Sequence, residues 1–138
     1  MISFAVPGNP VAQPRVKAAK RGKSIHIYTP DKQVKPYKEA IKLIATQAMV
    51  GRKPMEGPLA VAIFFYVDRP KSHTKKQREC EWHAQKPDLD NLAKAVLDAL
   101  KDVTWSDDSQ IAELRLRKQW AVGDPAYTYI RIEEIPHG

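Results

Sequence analysis

The stretch DLDNLAKAVLDALKDVTWSDD, residues 88–108, decides how the rest of the chain is read. Leu89, Leu92, Ala93, Val96, Leu97 and Leu100 recur at i, i+3, i+4, i+7, i+8 and i+11, the stripe that an amphipathic helix buries. The opposite face carries Asp90, Lys94 and Asp98 at successive steps of four, with Asn91 alongside. The stretch opens on two aspartates one residue apart and closes on the adjacent pair Asp107 and Asp108, in a chain of formal charge +7. Acid is therefore concentrated on one helix of a basic protein.

Geometry limits what the first pair can do. Inside a regular helix, residues two apart point to nearly opposite sides, so Asp88 and Asp90 share a ligand only if one lies outside it. Pro87 supplies that break, because it biases Lys86 towards an extended conformation and cannot occupy a helix interior. With Asp88 in the approach to the helix or at its N-cap, its carboxylate can turn back towards Asp90. Two carboxylates at the positive end of a helix then make a site for a hard cation. In the purely structural alternative, Asp88 caps the helix, Asp90 pairs with Lys94, and Asp107 or Asp108 makes a turn.

Upstream of this helix, Leu59–Val67 is continuously apolar and rich in β-branched and aromatic residues, which predicts a central strand covered on both faces. Residues 68–86 follow with no periodicity but with Arg69, Lys71, Lys75, Lys76, Arg78 and Lys86, and connections this long in small domains are more often functional or disordered than passive. Downstream, Ala112, Leu114, Leu116 and Trp120 alternate with Glu113, Arg115, Arg117 and Gln119, and Lys118 is the exception on the inner set. This is a half-exposed strand with a basic outer face. After the Gly123-Asp124-Pro125 turn, Tyr127, Tyr129, Ile130 and Ile132 supply a last strand, expected to pair antiparallel to it. Nearer the N-terminus, residues 2–6 alternate as a short strand, residues 25–28 make a brief one, and residues 36–50 form a helix with Gly51 as its stop. The expected architecture is one α+β domain over residues 1–138, with a mixed sheet of four or five strands and two main helices.

If helix and following strand form a hairpin, the far end of the strand approaches Asp88, and Asp108 stays at the other end of the helix. Spacing alone therefore leaves open whether Asp107 or Asp108 joins the first pair. A zinc site from His73, Cys80 and His83 lacks a second ligand pair at a recognised spacing. The sequence also contains no Gly-rich phosphate loop, G-x-S-x-G or H-E-x-x-H.

Composition narrows the class. The 43% hydrophobic and 28% charged fractions are those of a soluble globular domain. Its longest apolar run, Leu59–Val67, is less than half of a membrane span. Pro7, Gly8, Asn9 and Pro10 interrupt the N-terminus before any leader-like apolar region, and the single cysteine, Cys80, agrees with a reducing compartment. A cytoplasmic protein is expected. A pI near 9.5 makes a polyanion the expected partner, and residues 13–23, with Arg15, Lys17, Lys20, Arg21 and Lys23, are either a solvated loop or a phosphate-gripping arm.

The run KPDLDNLAKAVLDAL at residues 86–100, followed by WSDDSQI at 105–111, resembles the signature of the RusA family of Holliday junction resolvases. That signature is D-x-D-N-x-x-K-x-x-x-D-x-L and then W-x-D-D-x-Q with an aliphatic residue. PGNP at residues 7–10 with Arg15, and Tyr28 ahead of Asp31, are weaker marks of the same family. The resemblance implies a bacterial or prophage endonuclease, acting as a homodimer with Mg²⁺, that resolves four-way DNA junctions by paired symmetric nicks in recombination and repair. By motif position it assigns Asp88, Asp90 and Asp108 to the metal and Lys94 to an essential basic role. Arg15, Lys17, Lys75, Lys76, Arg115 and Arg117 are the candidates to hold the junction. Two other classes remain in view: a non-catalytic module binding branched DNA or RNA, and a less selective metal-dependent nuclease.

Overall fold

In chain order the elements are β1 (Ile2–Pro7), β2 (Lys17–Arg21), β3 (Ser24–Tyr28), α1 (Val34–Ala48), β4 (Leu59–Val67), α2 (Leu89–Leu100), β5 (Ile111–Trp120) and β6 (Tyr127–Glu134). The structure, a computed structural model, describes residues 1–14, 17–21, 24–28 and 33–136. Four strands form one mixed sheet in the order β1-β6-β4-β5, and β2 with β3 forms a separate antiparallel hairpin.

The expected α+β class, four-stranded sheet and two helices are all present; the pairing of the last strand is not as expected. β6 lies antiparallel between β1 and β4, and within this sheet β5 pairs with β4, in parallel, from Leu59↔Ile111 to Val67↔Trp120. The physical reason is the crossover. Parallel neighbours cannot be joined by a tight turn, so the chain leaves β4, runs through α2 and returns as β5. The other side of β4 then remains for β6.

The reading of β4 as covered on both faces also needs correction. Leu59, Val61, Ile63 and Phe65 are buried, whereas Ala60, Ala62, Phe64 and Tyr66 between them are only partly so. Both helices lie on the first face. The second face is paved with side chains that can remain wet at one end: Tyr66 stacks on Tyr127 at 4.5 Å, Phe64 lies 5.8 Å from Tyr129, and Arg117 sits 4.8 Å above Phe64. A continuous apolar run therefore arises here without a second helical layer, because its outer residues are alanine, or aromatics that retain partial exposure.

The covered face holds the core. Ile41 and Ala45 of α1, Leu92, Ala95, Val96 and Leu100 of α2, and Ile130 and Ile132 of β6 are each fully buried, and each large side chain contributes about 1.5–3 kcal/mol on burial. Two polar contacts join α1 to its neighbours. Tyr37 and Thr128 share a buried hydrogen bond of 2.6 Å between their hydroxyls, and burial raises the Tyr37 pKa well above its ordinary value. On the surface, Lys38 pairs with Asp98 of α2 at 2.7 Å. The helix starts at Val34, with Pro36 in its first turn, and ends two residues short of Val50, ahead of Gly51 at φ 75°.

One edge of the sheet is partly closed by the connection before α2. His83 N–H donates to the Lys118 carbonyl at 3.1 Å, and Trp120 N–H donates to the Glu81 carbonyl at 2.7 Å. Residues 81–83 thus pair along the last residues of β5, leaving the outer edge of its first half without a partner strand among the described residues.

Candidate active site

α2 carries the acidic residues because its buried stripe leaves one face outside. Asp88 occupies the N-cap position with extended backbone (φ −68°, ψ 140°), and its side chain makes no cap hydrogen bond. Pro87 precedes it, joined to Lys86 by a cis peptide, and Asp90 follows in the first turn. Both carboxylates are exposed at the end where unpaired backbone N–H groups concentrate positive potential. Among the described residues no ion pair joins Asp90 to Lys94; the ion pairs are Lys38–Asp98 and Arg131–Glu133.

Lys94 lies four residues beyond Asp90, about 6 Å along the axis at 1.5 Å per residue. It lines a shallow pocket of about 320 Å³ with Leu97, Asp98, Gln13 and Asp108. The segment carrying Gln13 is tied to α2 by its backbone N–H, which donates to the Asn91 carbonyl at 2.9 Å. Its side-chain Oε1 is buried with no donor among the described residues, an arrangement that buried acceptors rarely tolerate without a water or cation nearby.

Asp108 is held from inside the core. Trp105 is fully buried, and its indole N–H donates to Asp108 Oδ1 at 2.7 Å. Asp107 works differently. Its carboxylate accepts from Ser109 N–H at 2.9 Å and caps the 3-10 turn Asp108–Gln110, and the Ser109 bonds hold its pKa below the usual range. Gln110 completes the brace. Its Oε1 accepts from the backbone of Ser106 and Asp107, both at 3.0 Å, while its Nε2 donates to the carbonyls of Met55 at 2.9 Å and Gly57 at 3.1 Å. In the W-S-D-D-S-Q run, Trp105, Asp107 and Gln110 therefore build the loop, and Asp108 is the carboxylate presented to the pocket.

The expected site residues divide into two groups. Asp88 and Asp90 stand at the N-terminus of α2; Lys94, a turn further along the helix, and Asp108, from the 3-10 turn that follows it, line one pocket. Among the described residues no three His, Cys, Asp or Glu side chains converge on one point. The donor set suits a cation that takes oxygen ligands from one or two carboxylates and keeps several waters, as Mg²⁺ does, rather than one that demands a closed protein cage. The orphaned Gln13 oxygen beside Asp108 and Lys94 has the same hard-donor chemistry.

The basic residues are dispersed. Arg15 lies outside the described residues, and Lys17 is the first residue of β2. Lys75 and Lys76 are exposed just before the 3-10 turn Gln77–Glu79. Their arginine neighbours are used internally: Arg69 donates to the Gln77 and Cys80 carbonyls at 2.9 and 2.7 Å, and Arg78 to the His73 carbonyl at 3.2 Å. Arg115 and Arg117 stand opposite Ala62 and Phe64 on the uncovered sheet face, away from α2. His73 and His83 bracket the Trp120 ring at 4.9 and 4.0 Å, and Cys80 is exposed.

Two residues outside the expected set reach this region. One is Gln13. The other is Lys118, whose Nζ donates to the carbonyls of Gln85 at 2.5 Å and Pro87 at 2.6 Å, immediately before Asp88. Desolvation lowers the Lys118 pKa, and the nearby Asp88 charge opposes that shift. Its place on the inner set of β5 was the signal that could have found it.

No helix among the described residues is long and apolar enough to cross a membrane. Over 127 residues the chain is 35% identical to the uncharacterized protein YqaN of Bacillus subtilis (strain 168), covering 85% of this chain and 86% of that protein. The family profile for endodeoxyribonuclease RusA matches residues 7–133, which include both ends of the carboxylate-bearing stretch, all of β4 and β5, and β6 but for its last residue. The chain therefore belongs to the RusA family of endodeoxyribonucleases, the Holliday junction resolvases.

Proposed function

We propose that this chain is a Mg²⁺-dependent, homodimeric resolvase that cuts four-way DNA junctions by paired symmetric nicks, with α2 as the core of its active site. The observation that carries the reading is the placing of Asp88 and Asp90. One stands at the N-cap and the other in the first turn, at the positive end of a helix within the segment that the family profile matches.

In this reading Asp88 and Asp90 hold the metal and Asp108 completes its surroundings, directly or through water. Bound Mg²⁺ supplies Lewis-acid polarisation of the scissile phosphate and a lowered pKa for an attacking water. Lys94, on the same helix face, offsets the charge that gathers on the phosphate as it becomes pentacoordinate. Trp105 keeps Asp108 pointed at the pocket. Lys75, Lys76, Arg115 and Arg117, with Arg15 and Lys17, contact junction phosphates. A junction with two-fold symmetry, cut twice, calls for two such sites related by a two-fold axis, and the separation of Arg115 and Arg117 from α2 is accommodated if the DNA spans more than one surface of a dimer.

Cleavage of an end-labelled synthetic four-way junction, against a linear duplex of the same sequence, tests this. Wild type is expected to nick the junction symmetrically in Mg²⁺ and to stop in chelator. Asp90→Asn and Lys94→Ala are expected to bind the junction and leave it uncut. Binding without cutting by wild type under every condition sinks the enzymatic reading and leaves a junction-binding module. Equal cutting of duplex or flaps replaces the resolvase with a less selective nuclease.

A further inference from the structure

Lys118 breaks the pattern of its strand. It stands opposite Phe65, which is fully buried beneath the helices, while two residues to either side of it on β5 Leu116 is partly buried against the core and Trp120 is buried. A lysine there must either find acceptors or lose solvation for nothing. It finds two, the carbonyls of Gln85 and Pro87, which flank Lys86 and end at the residue before Asp88. One ammonium thus pins the connecting segment at two points just where it turns into α2.

We propose that Lys118 is a positioning residue of the active site, clamping the Gln85 and Pro87 carbonyls so that Asp88 stands beside Asp90 in the geometry a hydrated divalent cation requires. It touches no reacting atom. Outer partners of ligand-bearing segments typically govern metal affinity and activity by roughly 10- to 100-fold. The inference rests on the reading of Asp88 and Asp90 as metal ligands. A purely structural staple is the competing role, and the backbone already supplies one: the bonds from His83 N–H to the Lys118 carbonyl and from Trp120 N–H to the Glu81 carbonyl survive any substitution at 118. Removing the ammonium should therefore leave the segment attached and release only its last residues.

The test compares wild type, Lys118→Met, Lys118→Arg, Asp88→Asn and the Asp88→Asn/Lys118→Met double variant. The readouts are Mn²⁺ affinity by calorimetry, junction affinity in chelator, kcat and KM for junction cleavage, and apo-protein Tm. Lys118→Met is expected to weaken Mn²⁺ binding and lower kcat by roughly tenfold or more, with junction affinity in chelator and KM within twofold of wild type. Lys118→Arg should recover part of both losses, since it can still donate to the two carbonyls. In the Asp88→Asn background, Lys118→Met should add little further loss, because the residue it positions is already disabled. The proposal is overturned if Lys118→Met changes Tm but leaves Mn²⁺ affinity and kcat within twofold of wild type, or if the two substitutions lose activity additively. If Asp88→Asn itself leaves Mn²⁺ affinity and cleavage intact, it is the assignment of Asp88 that fails.

Discussion

Trp105→Phe separates the two jobs that the indole performs. The residue is fully buried, so the substitution keeps one ring in the core and deletes the part bearing the N–H that reaches Asp108 at 2.7 Å. A hydrogen bond to a charged group contributes about 1.5–3 kcal/mol; Asp108 is exposed, and the lower end of that range applies. The lost ring atoms add a cavity cost on the order of 1 kcal/mol, the scale of one deleted buried methylene. The sum is about 2.5 kcal/mol, which for a domain of this size is roughly 10 °C in Tm. The companion Asp108→Asn keeps an acceptor for the indole and removes the charge, so its cost should stay below about 1 kcal/mol. Urea unfolding measures both, and junction cleavage per folded molecule measures function. Trp105→Phe should lose stability and part of its cleavage; Asp108→Asn should lose cleavage with little loss of stability. A Trp105→Phe protein as stable as wild type, or an Asp108→Asn protein that cuts normally, refutes the division of labour drawn for this loop.

Leu92→Ala, at a fully buried position under the carboxylate-bearing face of α2, should cost about 2–5 kcal/mol in urea unfolding while leaving cleavage per folded molecule near wild type. Lys38→Met breaks the surface pair with Asp98, whose side chain is 66% exposed, and should change stability by no more than about 1 kcal/mol; a larger loss would mean that the pair fixes α1 against α2. His83 makes the chain acid-sensitive. Burial, then the Lys118 charge, holds its pKa below the ordinary 6.5, so the folded state favours the neutral ring. As pH falls through 6.5 the unfolded chain takes up a proton that the folded chain resists, and stability falls until the lowered folded pKa is passed. Unfolding curves at pH 7.5 and 5.5 should converge for His83→Gln relative to wild type, and an unchanged acid-side loss in the variant would assign the effect to other groups.

Much of this was legible in the sequence. The α2 stripe at 3.6-residue spacing names its buried residues, and Pro87 before Asp88 foretold a carboxylate at the N-cap. The boundaries of the main-sheet strands followed from runs and turns, whereas β2, Lys17–Arg21, lies in a basic stretch whose pattern reads as a loop or arm. The sheet order did not, because alternation in β5 and β6 says which side faces the core and nothing about which strand lies alongside; that is settled by the crossover through α2. β4 misled for a related reason, since Ala60, Ala62 and the aromatics Phe64 and Tyr66 are apolar enough to mimic a doubly covered strand. As a hairpin of helix and strand requires, the far end of β5 meets the residues just before Asp88, and Lys118 is the residue found there. What no spacing could give is the use of side chains by loops: Gln110 bracing four backbone groups, or Arg69 and Arg78 spent on carbonyls where a charge count would assign them to phosphates.

The half-closed edge of β5 bears on behaviour at high concentration. Backbone donors and acceptors left open along a strand invite a second chain to zip on, the usual route to aggregates. Residues 81–83 occupy only the far end of that edge, and the rest carries Glu113, Arg115 and Arg117 on alternate residues. An incoming strand must bring those charges against its own or strip their water. The charge that suits the protein to a polyanion also discourages its copies from joining edge to edge.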